Sequence, residues 1–546
     1  MTKQEKPRNT KSSKPKSSPS KTYKASATPF RSPGKNPTPY RIDSSQSRPA
    51  PSRDDARDEA PSRPKSRKMA VVSYKPKARP NAEPPATPQT TTWPPAAKAS
   101  PARATRPTSA RPAASRPASR PAQTTPRPTT PKLDIPTPYA VVTRRASETL
   151  RQGHLWVYSS ELMALELGSG EPPRLIPVVD GRGILLGTAL LSPASQLPLR
   201  IVARELVTEP AWLALLADRL RAAIARRRPM LDALTDACRL VFSEADQLPG
   251  LIIDKYAGIV IVQLLTRGLD TDQVRATVAQ VLQQELLTAN AQLTVWERAD
   301  ARIRELEGIS APQLTPLFTT QPDAPQTSTT FHLNGLSFLF DANSGQKTGA
   351  FLDQRENYRA AAQWARSLQL TGKALDVCTY QGGFALHLAQ VCAQVTGVDS
   401  SRASLEVAER NLEANRALLS GSVDWVEADA FQLLRNWSEA EHDWDVIVVD
   451  PPAFAKSKRA IEGALRGYKE LNLRALKMLR PGGLLVTCSC SHHVSLAELE
   501  SVVAAAAVDA DRRVTLLERR GAAHDHPVLL NLPESEYLKC LILQVD

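Results

Sequence analysis

Residues 373–400 read KALDVCTYQGGFALHLAQVCAQVTGVDS, and this stretch decides the fold. Each end is a short apolar run closed by an acid, Asp376 in the first and Asp399 in the second. Between them Gly382-Gly383 opens a segment, GGFALHLAQVC, whose apolar residues recur at helical spacing. Strand, glycine turn, helix and second strand make a βαβ unit, which belongs in a parallel sheet with a right-handed crossover. Paired glycines at a helix start let a ligand approach the backbone, and the first helical turn offers amide donors. The pair is not a G-x-G-x-x-G, and it serves equally as a plain turn. Asp399, sixteen residues beyond Gly383, favours a ligand site, since a carboxylate there can accept both ribose hydroxyl hydrogens of a nucleoside. Its other reading is a cap on the helix that SSRASL begins.

The alternation continues outward. VDWVEAD, WDVIVVDPP and GGLLVTCSC read as three more buried strands, separated by the helical runs SLEVAERNLEANRALL and YKELNLRALKML. Five strands alternating with helices predict an α/β, Rossmann-like doubly wound sheet, in which ligands bind at the carboxyl ends of the strands. The third of these strands ends at Asp429-Ala430-Phe431, where an acceptor and a flat apolar wall suit an adenine. A phosphate ligand calls for Lys or Arg in the first loop, and DVCTYQGGF has neither. S-adenosylmethionine, a sulfonium cation without phosphate, therefore fits better than a dinucleotide.

The fourth strand ends in Asp450-Pro451-Pro452-Ala453-Phe454. The prolines stiffen the loop and lack amide donors, so Asp450 and Phe454 are expected over the cofactor's reactive end, with a target base stacked on the ring. A stiff strand-to-helix turn is the alternative. The fifth strand ends in CSCSHH, and at strand period Cys488 and Cys490 face the same side, so either can project into the site. A thiolate adding to C6 of a pyrimidine makes C5 rich enough in electrons to take a methyl group. Two Cys and two His in six residues also resemble a metal cluster, but no second ligand pair lies at structural-zinc spacing, so no metal is expected. Core filling is the default for Cys378, Cys392 and Cys540.

Before this sheet the composition changes twice. The chain of 546 residues has a net charge of +14, yet residues 1–140 alone carry 29 basic and 8 acidic side chains, leaving −7 for the remainder. The same segment holds 28 of the 45 prolines, so residues 1–137 are expected to be a disordered, basic Pro/Arg/Ser-rich tail. Its Arg-Pro dipeptides, such as Arg106-Pro107 and Arg127-Pro128, suit either a solubility linker or a salt-sensitive contact with RNA. Residues 138–206 read as a small β-rich module, with LIPVVDGRGILLGTALL and LPLRIVARE as strands, and residues 207–335 as an α+β domain beginning with the helix EPAWLALLADRLRAAIARRR. The sheet described above fills 336–546. Arg226-Arg227-Arg228 and Lys456-Ser457-Lys458-Arg459 are basic patches that could meet phosphates. No apolar run is long enough to cross a bilayer, no secretory signal precedes the tail, and six cysteines make no disulfide scaffold, so a reducing cytoplasm is expected.

GQKTGAFLDQREN (Gly345–Asn357), DVCTYQGGFALHLA, VDSS, EADAF, DPPAFAKSK, GYKELNLRALKMLRPGG and CSCSHH, in this order, resemble the RlmI-like class I methyltransferases that make 5-methylcytosine in 23S ribosomal RNA. The likeness spans residues 138–546. It implies an RNA-binding PUA β-barrel at 138–206, opened by RRASETLRQGHLWVYSSEL, then a central α+β domain and the catalytic sheet. It implies S-adenosylmethionine held by Lys347, Phe351, Gln354, Arg355, Asp376, Cys378, Tyr380, Gly382, Gly383, Asp399, Ser400, Asp429, Ala430 and Asp450. Lys347, Gln354 and Arg355 would lie beside cofactor or RNA backbone. The target base would meet Pro451, Pro452, Phe454, Lys456 and Lys458. The nucleophile becomes Cys490, with Asp450 orienting or protonating the cytosine edge at N3. Family members lack a Pro-Cys after the fourth strand, and here Ala453 follows Pro452. Ribosomal RNA is the expected partner, with no membrane, and a homodimer stays open. The tail lies outside the resemblance. Methylation of an exocyclic base amine, or an RNA-binding assembly factor without catalysis, are the competing functions.

Overall fold

The computed structural model describes residues 137–546 except 289–290, 299–300, 310, 313, 344–348, 441–442 and 456. The expected tail, apart from Thr137, lies outside the described residues, as do Lys347 and Lys456.

The first layer is a six-stranded sheet of β1 (Tyr139–Val142), β2 (Trp156–Val157), β3 (Leu162–Glu166), β4 (Leu175–Asp180), β5 (Leu185–Leu191) and β6 (Leu199–Ala203), in the order β2-β6-β5-β4-β1-β3. Helix α1 (Arg144–Arg151) starts where the Thr143 hydroxyl accepts from the Ala146 amide, and its Leu150 seals a core with Val142, Ile176 and Leu191. The DGRG segment makes the β4–β5 turn, where Asp180 Oδ1 accepts from the amides of Arg182 and Ile184.

Helix α2 (Glu209–Arg227) leads into a second sheet of β7 (Ala237–Phe242), β8 (Leu251–Tyr256), β9 (Ile259–Leu264), β10 (Thr294–Glu297) and β11 (Phe318–Thr319), in the order β11-β10-β9-β8-β7. Helix α3 (Asp272–Leu286) packs against α2, and the short α4 is Ala301–Glu307. Strand β9, IVIVQL, shows no polar alternation because both its faces are covered, and its one polar residue, Gln263, is buried as well. Val260 and Val262 meet the α2–α3 side, while Ile259 and Ile261 join the core of the next layer. Leu190 and Val202 of the first sheet enter the α2–α3 core as well.

Strands β12 (Ser328–Leu333) and β13 (Leu336–Asp341) form a hairpin. Its two-residue turn, Asn334-Gly335, has both residues at positive φ, 54° and 87°, as the twist of paired strands requires. The boundary expected between 335 and 336 falls at this turn, and Phe331 and Phe340 on the two strands share one core.

The catalytic-layer sheet comprises β14 (Lys373–Val377), β15 (Gln394–Asp399), β16 (Ser422–Glu427), β17 (Trp444–Val449), β18 (Leu479–Ser489), β19 (Val514–Arg520) and β20 (Lys539–Val545). The order is β16-β15-β14-β17-β18-β20-β19, with β14 to β18 parallel and β20 antiparallel to both neighbours. Helices α5 (Arg355–Ser367), α6 (Gly383–Leu388), α7 (Arg402–Asn415), α8 (Ala430–Glu439), α9 (Ile461–Met478) and α10 (Leu496–Asp509) complete the layer. Alternate residues of each central strand enter opposite cores: Val446 and Val448 face α5 and α6, whereas Ile447 and Val449 face α9 and α10. The five parallel strands stand where the sequence places them. Strands β19 and β20 are additions that sequence reasoning did not single out. The sheet's direction switches between β14 and β17, the crevice where such folds bind ligands.

Candidate active site at the switch point

The switch point brings the expected residues of β14, β15 and β17 together. The Asp450 amide donates to Val377 O across it (3.2 Å). After Val377 the chain turns sharply, with Cys378, Tyr380 and Gly382 at φ of 66°, 53° and 87°. Two carboxylates hold this turn. Asp376 Oδ2 accepts from Thr379 Oγ1 (2.5 Å) and the Ala385 amide (2.9 Å), and Asp399 Oδ2 accepts from the Tyr380 amide (2.9 Å). Asp399 Oδ1 takes the Ser401 amide (2.9 Å), so part of its role is the local turn ahead of α7. Burial pushes the Asp376 carboxyl up to about 7 despite its two donors. His387 in α6 is pushed down to about 4 by burial; its Nδ1 meets Gly383 O (2.7 Å) and its Nε2 meets the Asn334 amide (3.0 Å). Tyr380 packs edge-on against Phe351 at 4.9 Å and donates to Gly349 O (3.0 Å).

Asp429 caps α8, its Oδ1 accepting from the Gln432 amide (2.9 Å), and it lies exposed at the end of β16, with Ala430 half-buried behind it. Ser400 is exposed after β15. Phe454 packs between Phe431 (5.8 Å) and Tyr468 (4.9 Å), so its ring is partly engaged with α8 and α9. Pro451 is buried, while Pro452 and Lys458 are exposed.

Cys490 lies beyond the strand whose period was expected to set it beside Cys488. Strand β18 ends at Ser489, so the strand period stops before Cys490. Cys488 lies in the core opposite Cys540 of β20, and burial together with that neighbouring thiol holds it well above the usual thiol range. Cys490 stands in the following loop, half-buried, with Sγ 4.0 Å from Pro451 O. A hydroxyl cluster ties its loop to the proline loop. Ser489 Oγ donates to the Tyr468 hydroxyl (2.9 Å), that hydroxyl meets Ser491 Oγ (3.0 Å), and Ser491 Oγ accepts from the Ala455 amide (3.2 Å). Buried Lys539 donates to Ser491 O (2.7 Å) and Tyr537 O (2.9 Å). Burial pulls the Lys539 ammonium down, and its interaction with Cys490 opposes that pull. Sequence reasoning missed Tyr468, Ser491 and Lys539. Lys539 carried a signal, a single charge at the head of the otherwise apolar strand KCLILQV.

Two expectations are corrected. Arg355 does not face cofactor or RNA: it is 4% exposed, and its Nη1 donates to Asp525 Oδ2 (3.0 Å) and Ala237 O (3.3 Å). The Arg226-Arg227-Arg228 patch is reduced, since Arg227 is fully buried while Arg226 and Arg228 stay half-exposed. Arg226 and the fully buried Arg227 both pair with Asp246, and Arg228 pairs with Glu285. Gln354 is buried and donates from Nε2 to Asp450 Oδ2 (2.9 Å). Among the described residues no group of three or more His, Cys, Asp or Glu could hold a metal ion, and no helix is long and apolar enough to cross a membrane.

The switch-point residues fit S-adenosylmethionine. Asp376 Oδ1 is buried with no hydrogen-bond partner, Asp399 and Asp429 close neighbouring strands, and the loop from Cys378 to Gly383 carries no cation to favour a phosphate. Comparison with known proteins agrees. Residues 246–519 match the S-adenosylmethionine-dependent methyltransferase family, and residues 140–204 match a PUA-like domain. Ribosomal RNA large subunit methyltransferase I from Salmonella arizonae is 35% identical over 405 residues, covering 74% of this chain and 96% of that protein. The same enzyme from an Enterobacter species is 35% identical over 406 residues, covering 73% and 97%. Among solved structures, a chain described as a SAM-dependent methyltransferase from Streptococcus mutans superimposes with a TM-score of 0.59 at 20% identity, over 74% of this chain and 99% of that one. The fold, the cofactor-shaped switch point and the length of the match lead to one assignment: the chain belongs to the ribosomal RNA large subunit methyltransferase I family, whose cofactor is S-adenosylmethionine.

Proposed function

We propose that this chain methylates C5 of a cytosine in ribosomal RNA of the large subunit, the 23S molecule, through a covalent adduct on Cys490. The observation that carries the reading is a half-buried thiol 4.0 Å from the carbonyl of Pro451, the residue that follows Asp450 at the switch point. The cofactor, when bound, supplies an electrophilic methyl group. With its thiol deprotonated, Cys490 Sγ would add to C6, and the C5–C6 electron pair would bond to the methyl carbon as that carbon's bond to the sulfonium sulfur breaks and the neutral thioether leaves. Loss of the C5 proton to solvent restores the double bond, and the S–C6 bond breaks to return the thiolate. Asp450 meets the base edge. Lys539, through Ser491, holds the loop and places a positive charge near the developing and departing thiolate. Gly382, Gly383, Asp399 and Asp429 are the cofactor's cradle, and exposed Lys458 beside the proline loop is available to a phosphate.

RNA reaches this cleft, in our reading, from the PUA-like domain. Mass spectrometry of 23S ribosomal RNA treated with wild type and with Cys490→Ala tests the chemistry. Wild type should yield 5-methylcytidine and the variant none. Full activity in Cys490→Ala would refute the adduct, and a product methylated on the cytosine amine would point to an exocyclic amine as the methylated group.

A further inference from the structure

Four buried or half-buried side chains connect β19 to the candidate active site. Arg520, the last residue of β19, donates from Nε to Asn357 Oδ1 (2.7 Å). Asn357 Nδ2 donates to Gln354 Oε1 (2.6 Å) and to Gly521 O (3.0 Å). Gln354 Nε2 donates to Asp450 Oδ2 (2.9 Å). The oxygen and nitrogen ends of an amide are told apart by their hydrogen-bond partners, and a guanidinium can only donate. Arg520 therefore fixes the oxygen end of Asn357, which fixes Gln354 in turn. The nitrogen of Gln354 must face Asp450, and Oδ2 must accept.

We propose that Arg520, Asn357 and Gln354 are positioning residues: a one-way relay that presents Asp450 to the target base as an ionised, oriented acceptor for a base N–H. The inference rests on the reading that Asp450 meets that base, and it replaces the cofactor contact expected for Gln354. A charge-assisted hydrogen bond to a carboxylate favours the ionised form, so the relay keeps Asp450 competent at lower pH than an unsupported aspartate in the same crevice. Titratable groups that interact with Asp450 include Tyr358 on α5, Cys378 after β14, Tyr468 on α9 and Cys488 on β18. Burial raises all four, so they stay neutral through the acid range. Cys490 lies across the Pro451 carbonyl from the same loop.

The test measures methyl transfer from labelled S-adenosylmethionine to unmethylated 23S ribosomal RNA as a function of pH, with cofactor affinity measured separately by calorimetry. Gln354→Met, which keeps the length and loses the donor, should lower kcat about tenfold and move the acid limb of kcat/KM up by about one pH unit. Cofactor Kd should stay within about twofold, since the relay acts on the aspartate and not on the cofactor. Arg520→Met should move the limb in the same direction by less, and Arg520→Lys, which retains a donor, should restore it. The Arg520 pair decides the matter if Gln354→Met does not fold. A weakened cofactor Kd with an unmoved acid limb would overturn the relay and return Gln354 to the cofactor. If Asp450→Asn is inactive while the relay variants behave as wild type, the relay fails alone; if Asp450→Asn is fully active, the reading of Asp450 fails first.

Discussion

Replacing Arg355 with Met should cost stability and leave RNA binding intact. The guanidinium is 4% exposed and meets Asp525, whose side chain is 0% exposed. Asp525 also accepts from the Arg239 amide (2.9 Å) and pairs with His526 Nδ1 (3.0 Å), while its carbonyl takes Arg227 Nη2 (2.9 Å). Burial alone would raise this carboxyl; His526, Arg355 and the Arg239 amide outweigh it and hold the group far below the usual carboxylate range. Breaking a buried pair by removing one partner costs about 3–5 kcal/mol. Because His526 and one amide remain on Asp525, the expected loss lies near the lower end, about 3 kcal/mol. Guanidinium unfolding followed by circular dichroism measures it. Removing the stranded charge as well, in Arg355→Met with Asp525→Leu, should recover part of the loss. In parallel, the slope of RNA affinity against salt concentration should not change, because no phosphate contact has been lost. A stability loss below about 1 kcal/mol, together with a salt slope smaller by about one, would refute this account and return Arg355 to the RNA.

The loop and helix after β14 should show two opposed titrations. Burial holds His387 at about 4 instead of 6.5, so its contribution to stability is complete above pH 6.5 and is lost as pH falls towards 4, about 3 kcal/mol in all. Asp376, raised from 3.8 to about 7, runs the other way: its contribution is complete below pH 3.8 and is lost as pH rises through 7. Over their shared range the two should nearly cancel, so Asp376→Asn should make Tm fall more steeply than wild type as pH drops from 6.5 to 4; equal slopes would count against both assignments. A methyl group added at Gly383 would lie 2.4 Å from Cζ of Tyr358, a buried ring. Gly383→Ala should therefore cost about 1–3 kcal/mol and weaken cofactor binding at least about tenfold by calorimetry. An unchanged Kd would mean that the α6 N-terminus does not approach the cofactor.

The parallel strands were legible because burial on both faces leaves unbroken runs such as WDVIVV, which few other structures accommodate. Strand β19, VTLLERR, is only half-buried and carries charge at its end, so its pattern does not separate it from a loop or a helix end. That obscurity hid the start of the relay, since Arg520 is its last residue. Gln354 was expected beside cofactor or RNA, and its bond to Asp450, ninety-six residues further on, lies beyond any local pattern. Cys490 was distinguished from Cys488 by resemblance and not by period, because period cannot show where a strand stops. The arginine run was legible only in part for a related reason: composition counts charges, and only the fold shows that Arg227 is buried against Asp246.

The shared cores constrain how a nucleic acid can be read. Ile259 and Ile261 of the second sheet, Phe331 and Phe340 of the hairpin and Phe384 and Val446 of the catalytic layer belong to one continuous core, and Leu190 and Val202 bind the first sheet to the second in the same way. Domains hinge where their interface is small and polar; the core shared by the second sheet and the seven-stranded sheet is apolar, whereas the first sheet also meets the second layer through polar contacts such as Arg200 with Glu307 and Trp156 with Glu244. A core continuous from the second sheet through the hairpin to the seven-stranded sheet would hold those layers at a set spacing. Under the proposed chemistry, the conformational work of bringing a stacked base to Cys490 would then fall largely on the RNA, which favours targets already strained or unpaired.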